Sequence, residues 1–329
     1  MFTWASRQGL SMKLGLIGCR SSSIDLINIL EDVGINFDLI ISIDPKTAFI
    51  NKVADYYCLS HTAYKKNIKY LEYQNYSLVL DNDQVSEVLA QKIDVFIALD
   101  WQRLIPGWLL ENTNGGIFGV HSPSKLLPYG RGRSPINWNL IQNKNQMVVH
   151  LIKYDPGVDG GDIVGTRSVD ITDLDDCHTL YLKQTSCAAD MIISNLNFPN
   201  NNHTKQVGVP SYYPKRTEKD GEVNWHDSAK DIYNLVRAVT RPFPGAFSKL
   251  KSSGVCRIWK VIPFDAPLYR RDEIGRIVEV YHDGSFVVTC GGYSLLLVQD
   301  YEYEGLDRIS KGRYFNCSNE RKDWKGLPE

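Results

Sequence analysis

Between Gly119 and Trp138 the chain reads GVHSPSKLLPYGRGRSPINW, which sets one imidazole, two guanidinium groups, a lysine and several hydroxyls in a loop rich in glycine and proline. An imidazole in such a place suits proton handling or the stabilisation of an oxyanion, because its neutral form titrates close to neutral pH. A lone loop histidine is more often a surface hydrogen bonder, so His121 needs a partner to mean more. A second polar loop, Tyr154-Asp155-Pro156-Gly157-Val158-Asp159-Gly160-Gly161-Asp162, offers carboxylates that could orient the ring.

Each loop follows a short apolar run, Gly116 to Val120 and Met147 to Ile152, of the kind that forms a buried strand. In an open α/β sheet ligands sit in the crevice outside the strand carboxyl ends, which is where both loops would lie. Further strands are expected at Lys13 to Ile17, Phe37 to Ile43, Val95 to Leu99 and Ile163 to Val169, with helical patterns at IDLINILEDVG (24–34), Asp83 to Lys92 and Cys177 to Leu196. This alternation predicts a mostly parallel, Rossmann-like sheet covered on both faces. Gly15 and Gly18 do not spell a dinucleotide fingerprint. The Asn-rich PNNNHTKQ and Gly208-Val209-Pro210 have linker composition and divide a first domain, 12–209, from a second, 210–329. There a helix, Ser228 to Val239, precedes short strands at Arg257 to Val261, Gly275 to Tyr281, Ser285 to Cys290 and Ser294 to Val298. Turns at His282-Asp283-Gly284 and Gly291-Gly292 punctuate them, so this part reads as a small β-barrel-like, OB-like unit.

A length of 329 residues, 43% apolar and 23% charged, fits a two-domain globular protein. The 37 Lys+Arg and 38 Asp+Glu leave a net charge of -1, so a nucleic-acid backbone would have to be held by a local patch. No apolar run approaches the roughly 20 residues of a membrane span, and Met1 to Ser11 lacks the apolar core of a signal peptide. The expectation is a cytoplasmic protein that enters no membrane. Met12 opens MKLGLIG and reads as the natural start, with residues 1–11 an extension left by cloning or by an alternative start codon. Seven scattered cysteines, never at CxxC spacing, suggest neither a disulfide framework nor a zinc site, and no metal is expected.

At these residues the chain resembles the formyltetrahydrofolate-dependent formyltransferases, whose core motif reads roughly Asn-x-His, a Leu-Leu-Pro loop, Arg-Gly and a later Asp-x-Gly. His121, Leu126-Leu127-Pro128, Arg131-Gly132 and Asp159-Gly160-Gly161-Asp162 match in that order. Tyr213-Pro214-Lys215-Arg216-Thr217, Asp220-Gly221, Asn224-Trp225 and Arg241-Pro242-Phe243-Pro244-Gly245-Ala246-Phe247 look like the link and second domain of the nucleotide-sugar members, so the resemblance runs along nearly the whole chain from Met12. Two departures stand out. The catalytic Asn position is Gly119, and the loop from His121 to Leu126 is two residues longer. With Trp101-Gln102-Arg103-Leu104-Ile105-Pro106, the Gly-x-His pattern looks like the branch acting on 4-amino sugars of the pseudaminic-acid type. A neighbouring side chain, a backbone N–H of the longer loop, or water would then replace the lost donor.

What the resemblance implies is transfer of a formyl group from N10-formyltetrahydrofolate to the 4-amino group of a nucleotide-linked sugar, a UDP-linked 4-amino-4,6-dideoxy sugar being favoured, for a bacterial surface glycan. His121 would hydrogen-bond the developing oxyanion or take the proton of the amine, and Asp159 would hold and polarise the imidazole or a bridging water. Trp101, Gln102, Arg103 and Leu104 on one side, and Tyr154, Asp155 and Val158 on the other, would enclose the folate. For the sugar nucleotide the expected contacts are Ser122, Arg131, Gly132, Ser134, Asn137, Lys215, Arg216 and Phe243, with Arg133 a further cation and Tyr213 and Trp225 further stacking aromatics. His178, His226 and His282 are read as structural. Two alternatives share the motifs: methionyl-tRNA formylation, and a degenerate domain that binds folate or sugar nucleotide without turnover. Residues 210–329 hold 19 Lys+Arg against 17 Asp+Glu, a net of only +2, which favours the small substrate over tRNA. The β-rich second domain offers a homodimer surface.

Overall fold

The computed structural model describes residues 12–195, 203–251, 254–269, 273–305, 308–317 and 327–328; residues 1–11 and 196–202, the extension and part of the linker, lie outside the described residues. In chain order the first half runs β1 (Leu14–Ile17), α1 (Ser21–Glu31), β2 (Leu39–Ile43), α2 (Pro45–Ile50), α3 (Ser60–Lys65), β3 (Lys69–Tyr73), α4 (Asn82–Leu89), β4 (Val95–Ala98), α5 (Gly107–Glu111), β5 (Ile117–His121), β6 (Arg131–Gly132), α6 (Pro135–Ile141), β7 (Gln146–Lys153), β8 (Ile163–Asp170) and α7 (Cys177–Ser194). Then come β9 (Tyr212–Tyr213), α8 (Ala229–Val239), β10 (Ala246–Lys249), β11 (Val255–Phe264), β12 (Ile277–Val280), β13 (Phe286–Thr289) and β14 (Leu295–Glu304).

Seven strands form the first sheet in the order β3-β2-β1-β4-β5-β7-β8. The pairs from β3 to β5 are parallel, while β7 and β8 join β5 antiparallel. β1, β2 and β4 are buried at every position, as parallel strands with helices on both faces must be. The edge strand β3 escapes the sequence reading because KYLEY mixes charged residues with aromatics and has no unbroken apolar run. The order reverses between β1 and β4, so the crevice lies beyond their carboxyl ends, with His121 at the end of β5 beside it. Asp176 caps α7: its carboxylate accepts the Thr179 N–H at 2.8 Å, which sets where the helix starts.

The second sheet is antiparallel, in the order β10-β11-β14-β13-β12. Its two edges meet one segment. Lys251 N–H donates to the Tyr314 carbonyl at 2.9 Å on the β10 side, and Phe315 N–H donates to the Gly275 carbonyl at 2.9 Å on the β12 side. That shared partner supplies the barrel-like closure expected of this half. Trp225 and Phe315 fill its centre, both 0% exposed, with ring centroids 4.8 Å apart. Trp225 is therefore core, and Tyr213 (2% exposed), stacked on Trp138 at 6.1 Å, is core as well; neither reaches a nucleobase. One apolar cluster runs from Leu16 through Ile232 and Val236 of α8 to Phe286 and Phe315, so the two sheets share a core.

Candidate active site

Phe118 of β5 pairs with Lys153 of β7, and the Tyr154 N–H donates to the Ile117 carbonyl at 2.7 Å. Side chains alternate along a strand and cross-strand neighbours share a face, so Ile117, Gly119, His121 and Tyr154 all project from one side of the sheet. His121, 6% exposed, has Nε2 at 2.7 Å from the Gly130 carbonyl and Nδ1 at 3.5 Å from Oδ2 of Asp159. A carbonyl only accepts, so Nε2 carries a hydrogen, and Nδ1 is the nitrogen that faces the carboxylate. A proton gained at Nδ1 would lie between ring and carboxylate with both ring N–H groups partnered.

Asp159 is held by backbone and loop. Its φ of 48° is left-handed, which short polar side chains tolerate better than most, and Oδ2 accepts the Gly132 N–H at 2.8 Å. Gly132 itself has φ 95°, and a Cβ there would come within 2.5 Å of the Tyr213 carbonyl, so β6 can approach only as glycine. Gln206 fastens the same loop: its Nε2 donates to the carbonyls of Asp159 and Gly161 at 2.8 and 2.7 Å, while Oε1 accepts from Arg131 at 3.0 and 2.7 Å. Sequence reasoning missed Gln206, because a glutamine in a linker of polar residues carries no signal. Asp100, left-handed at the end of β4 with φ 54°, was missed as well; it accepts Ser22 Oγ at 2.6 Å and Gln184 Nε2 at 2.8 Å.

A cleft of about 1020 Å³ opens between the two halves of the chain, with Lys52, Arg103, Arg133, Lys215, Arg216 and Phe243 in its wall. None of these five cations has a carboxylate within ion-pair distance among the described residues. Arg133 donates to the backbone and side-chain oxygens of Gln102 at 3.2 and 2.8 Å. Burial, and after it the Arg103 charge, lower its pKa. Burial also lowers that of Arg216, whose Nε is enclosed without a partner and whose guanidinium lies 5.8 Å from the Trp138 ring. His121 and Asp159 are not part of this wall; they meet it through Gly132, from which the chain continues into Arg133 and Ser134 on the cleft.

Of the expected residues, Gln102, Arg103, Ser134, Lys215, Arg216 and Phe243 come together on the cleft, and His121, Asp159, Gly132 and Tyr154 come together behind it. Trp101 is buried against Tyr76, centroids 4.7 Å apart, with its Nε1 unpartnered. Leu104 and Val158 are 55% and 44% exposed, and exposed Asp155 accepts the Gly157 N–H at 2.9 Å within its own turn. Three residues expected at the substrate serve the frame. Ser122 is 0% exposed and donates to Gln184 Oε1 at 2.6 Å, Asn137 is 0% exposed and donates to the Ala238 carbonyl at 2.6 Å, and Arg131 is taken up by Gln206. A side chain enclosed on all sides has no face left for a ligand. The exposed aromatic at the cleft is Phe49, 85% exposed on α2, which carried no motif.

Residues 20–196 match the formyl transferase family and residues 215–319 match the formyl transferase C-terminal domain. Over 203 residues the chain is 34% identical to the bifunctional polymyxin resistance protein ArnA of Wigglesworthia glossinidia brevipalpis, covering 60% of this chain and 29% of that protein, so it spans under a third of that relative's length. The fold is similar to an N-formyltransferase from Helicobacter canadensis solved with folinic acid and dTDP-3-aminofucose (TM-score 0.59, 16% identity, 88% of this chain and 99% of that one). It is also similar to methionyl-tRNA formyltransferase from Clostridium thermocellum (TM-score 0.57, 16% identity, 90% and 100%). At such identities the likeness is one of fold, and it is shared by a sugar enzyme and a tRNA enzyme alike. Matched by family models in both halves and carrying His121 and Asp159 at the end of the parallel sheet, the chain belongs to the formyl transferase family.

Proposed function

We propose that the protein moves the formyl group of N10-formyltetrahydrofolate onto the amino group of a nucleotide-linked amino sugar, with a UDP-linked 4-amino-4,6-dideoxy sugar as the favoured acceptor. The observation that carries this reading is the cleft of about 1020 Å³ with five cations that have no carboxylate partner, opening beside the His121–Asp159 pair. Fixed cations in a confined cleft suit a diphosphate, and arginine offers a fork that matches phosphate oxygens. The net of +2 over residues 210–329 suits a small anion better than a tRNA. Phe49 is the aromatic free to stack on a base at the mouth.

The folate supplies an activated formyl group. The buried Trp101 Nε1, with no partner among the described residues, fits such a ligand, because a ring nitrogen or carbonyl beside it would satisfy it. His121 Nδ1 takes the proton of the attacking amine, and Asp159 holds the resulting charge, itself fixed by the Gly132 N–H. The half-buried Arg103 and Arg216 and the exposed Lys215 would hold the diphosphate.

Mass spectrometry of UDP-, dTDP- and GDP-linked 4-amino sugars and of methionyl-tRNA, each incubated with enzyme and N10-formyltetrahydrofolate, tests the reading. A gain of one formyl mass on a sugar, lost in His121→Ala, is expected. A gain on methionyl-tRNA alone, or on no acceptor at all, would overturn it.

A further inference from the structure

The volume beside Gly119 is occupied. A Cβ placed on that residue would fall within the Tyr154 phenol, with Cε2 at 2.7 Å and the hydroxyl oxygen closer still. Tyr154 is half-buried, and among the described residues its hydroxyl has no hydrogen-bond partner. The strand register explains the placement: Tyr154 lies across Ile117, and its ring leans along β5 over the bare backbone of Gly119 towards the position of His121, two residues on. Any side chain at 119 would push the ring away, and any shorter residue at 154 would leave the space void.

We propose that Tyr154 is a catalytic residue whose hydroxyl donates a hydrogen bond to the formyl oxygen as it becomes an oxyanion. The inference rests on the transfer reading above. The transfer makes one bond, acceptor nitrogen to formyl carbon, and breaks another, formyl carbon to the folate nitrogen, while one proton passes from the first nitrogen to the second by way of His121. Between these events the carbonyl π pair resides on oxygen, and it returns when the second bond breaks. His121 cannot also serve the oxyanion: Nε2 is held by the Gly130 carbonyl, and Nδ1, which relays the proton beside Asp159, is the ring's other nitrogen. A second donor on the same face is therefore needed, and among the described residues the Tyr154 phenol is an O–H there without a partner. Burial, with the carboxylates of Asp159 and Asp100 adding to it, raises the Tyr154 pKa, which keeps the hydrogen on the oxygen throughout the working pH range.

The test uses the full chain. Tyr154→Phe keeps the ring and removes the donor, and is expected to lower kcat about a hundred- to a thousandfold, the usual effect of losing one oxyanion donor. Its KM for the acceptor and its affinity for folinic acid, measured by calorimetry, are expected to stay within about twofold, since the bond forms only on the way to the transition state. Gly119→Ala is expected to lower Tm in the wild-type background and not in a Tyr154→Ala background, where the space is open. Gly119→Asn combined with Tyr154→Ala returns a donor to the same volume and is expected to recover part of the rate that Tyr154→Ala loses. Wild-type kcat in Tyr154→Phe, with turnover abolished in His121→Ala, would overturn the role of the tyrosine and leave the transfer reading intact. Loss of neither would count against both. A Tm for Gly119→Ala equal to that of wild type would show that the phenol does not fill the space, whatever the acceptor.

Discussion

At Asp159 one carboxylate oxygen does two things: it accepts the Gly132 N–H at 2.8 Å and faces His121 Nδ1 at 3.5 Å. The backbone bond orients the carboxylate before any proton moves, which is what makes such a group useful in a transition state. The two functions are separable. Asp159→Asn keeps an oxygen for the Gly132 N–H and removes the charge beside the ring, so folding and Tm are expected to change little. The rate should still fall about a hundredfold or more, in the usual range for general acid–base groups. Single-turnover rates beside melting curves check this, and an unaltered rate would take the charge out of the mechanism.

Among the strands, the β5–β7 pairing brings the site residues onto one face and sets His150 directly opposite His121. His150 is 0% exposed, and burial first, then the neighbouring His121, push its pKa from 6.5 down to about 4. Its Nε2 accepts the Leu127 N–H at 3.3 Å, so the neutral ring is the form this sheet holds. With the folded value below the unfolded one, the unfolded chain binds the extra proton between the two. The contribution of His150 is complete above about pH 6.5 and is lost as the pH falls towards 4, to an order of about 3 kcal/mol. The fall in Tm across that window is expected to be steeper in wild type than in His150→Gln. Parallel slopes would show that His150 does not titrate this way.

For the whole molecule, the cleft exists because the second half of the chain packs against the first. Asn137 of α6 reaches the Ala238 carbonyl at the end of α8 at 2.6 Å, and the Trp138 indole N–H reaches the Pro214 carbonyl at 3.2 Å. That packing carries Lys215 and Arg216 to the wall opposite Arg103 and Arg133. Arg216→Ala is expected to raise KM for the sugar nucleotide about tenfold or more, as for a lost charged hydrogen bond to phosphate, with folinic acid affinity unchanged. Equal KM values would remove Arg216 from diphosphate binding. High salt should weaken acceptor binding in wild type and have less effect in the variant.

The β-branched runs at 95–99 and 147–152, and the order His121, Leu126-Leu127-Pro128, Arg131-Gly132, Asp159, are local features, so the parallel sheet, the barrel-like second half and the family were all legible in the chain. Burial and partner choice are not local. That Ser122 and Asn137 face inward, that Tyr213 and Trp225 are core, and that Gln206 rather than a phosphate takes up Arg131 follow from what packs against each residue. Glycine at 119 looked like a missing catalytic group in the sequence. Only the register between β5 and β7, set by pairing Gly119 with Ile152, 33 positions further along the chain, shows that a tyrosine stands in its place.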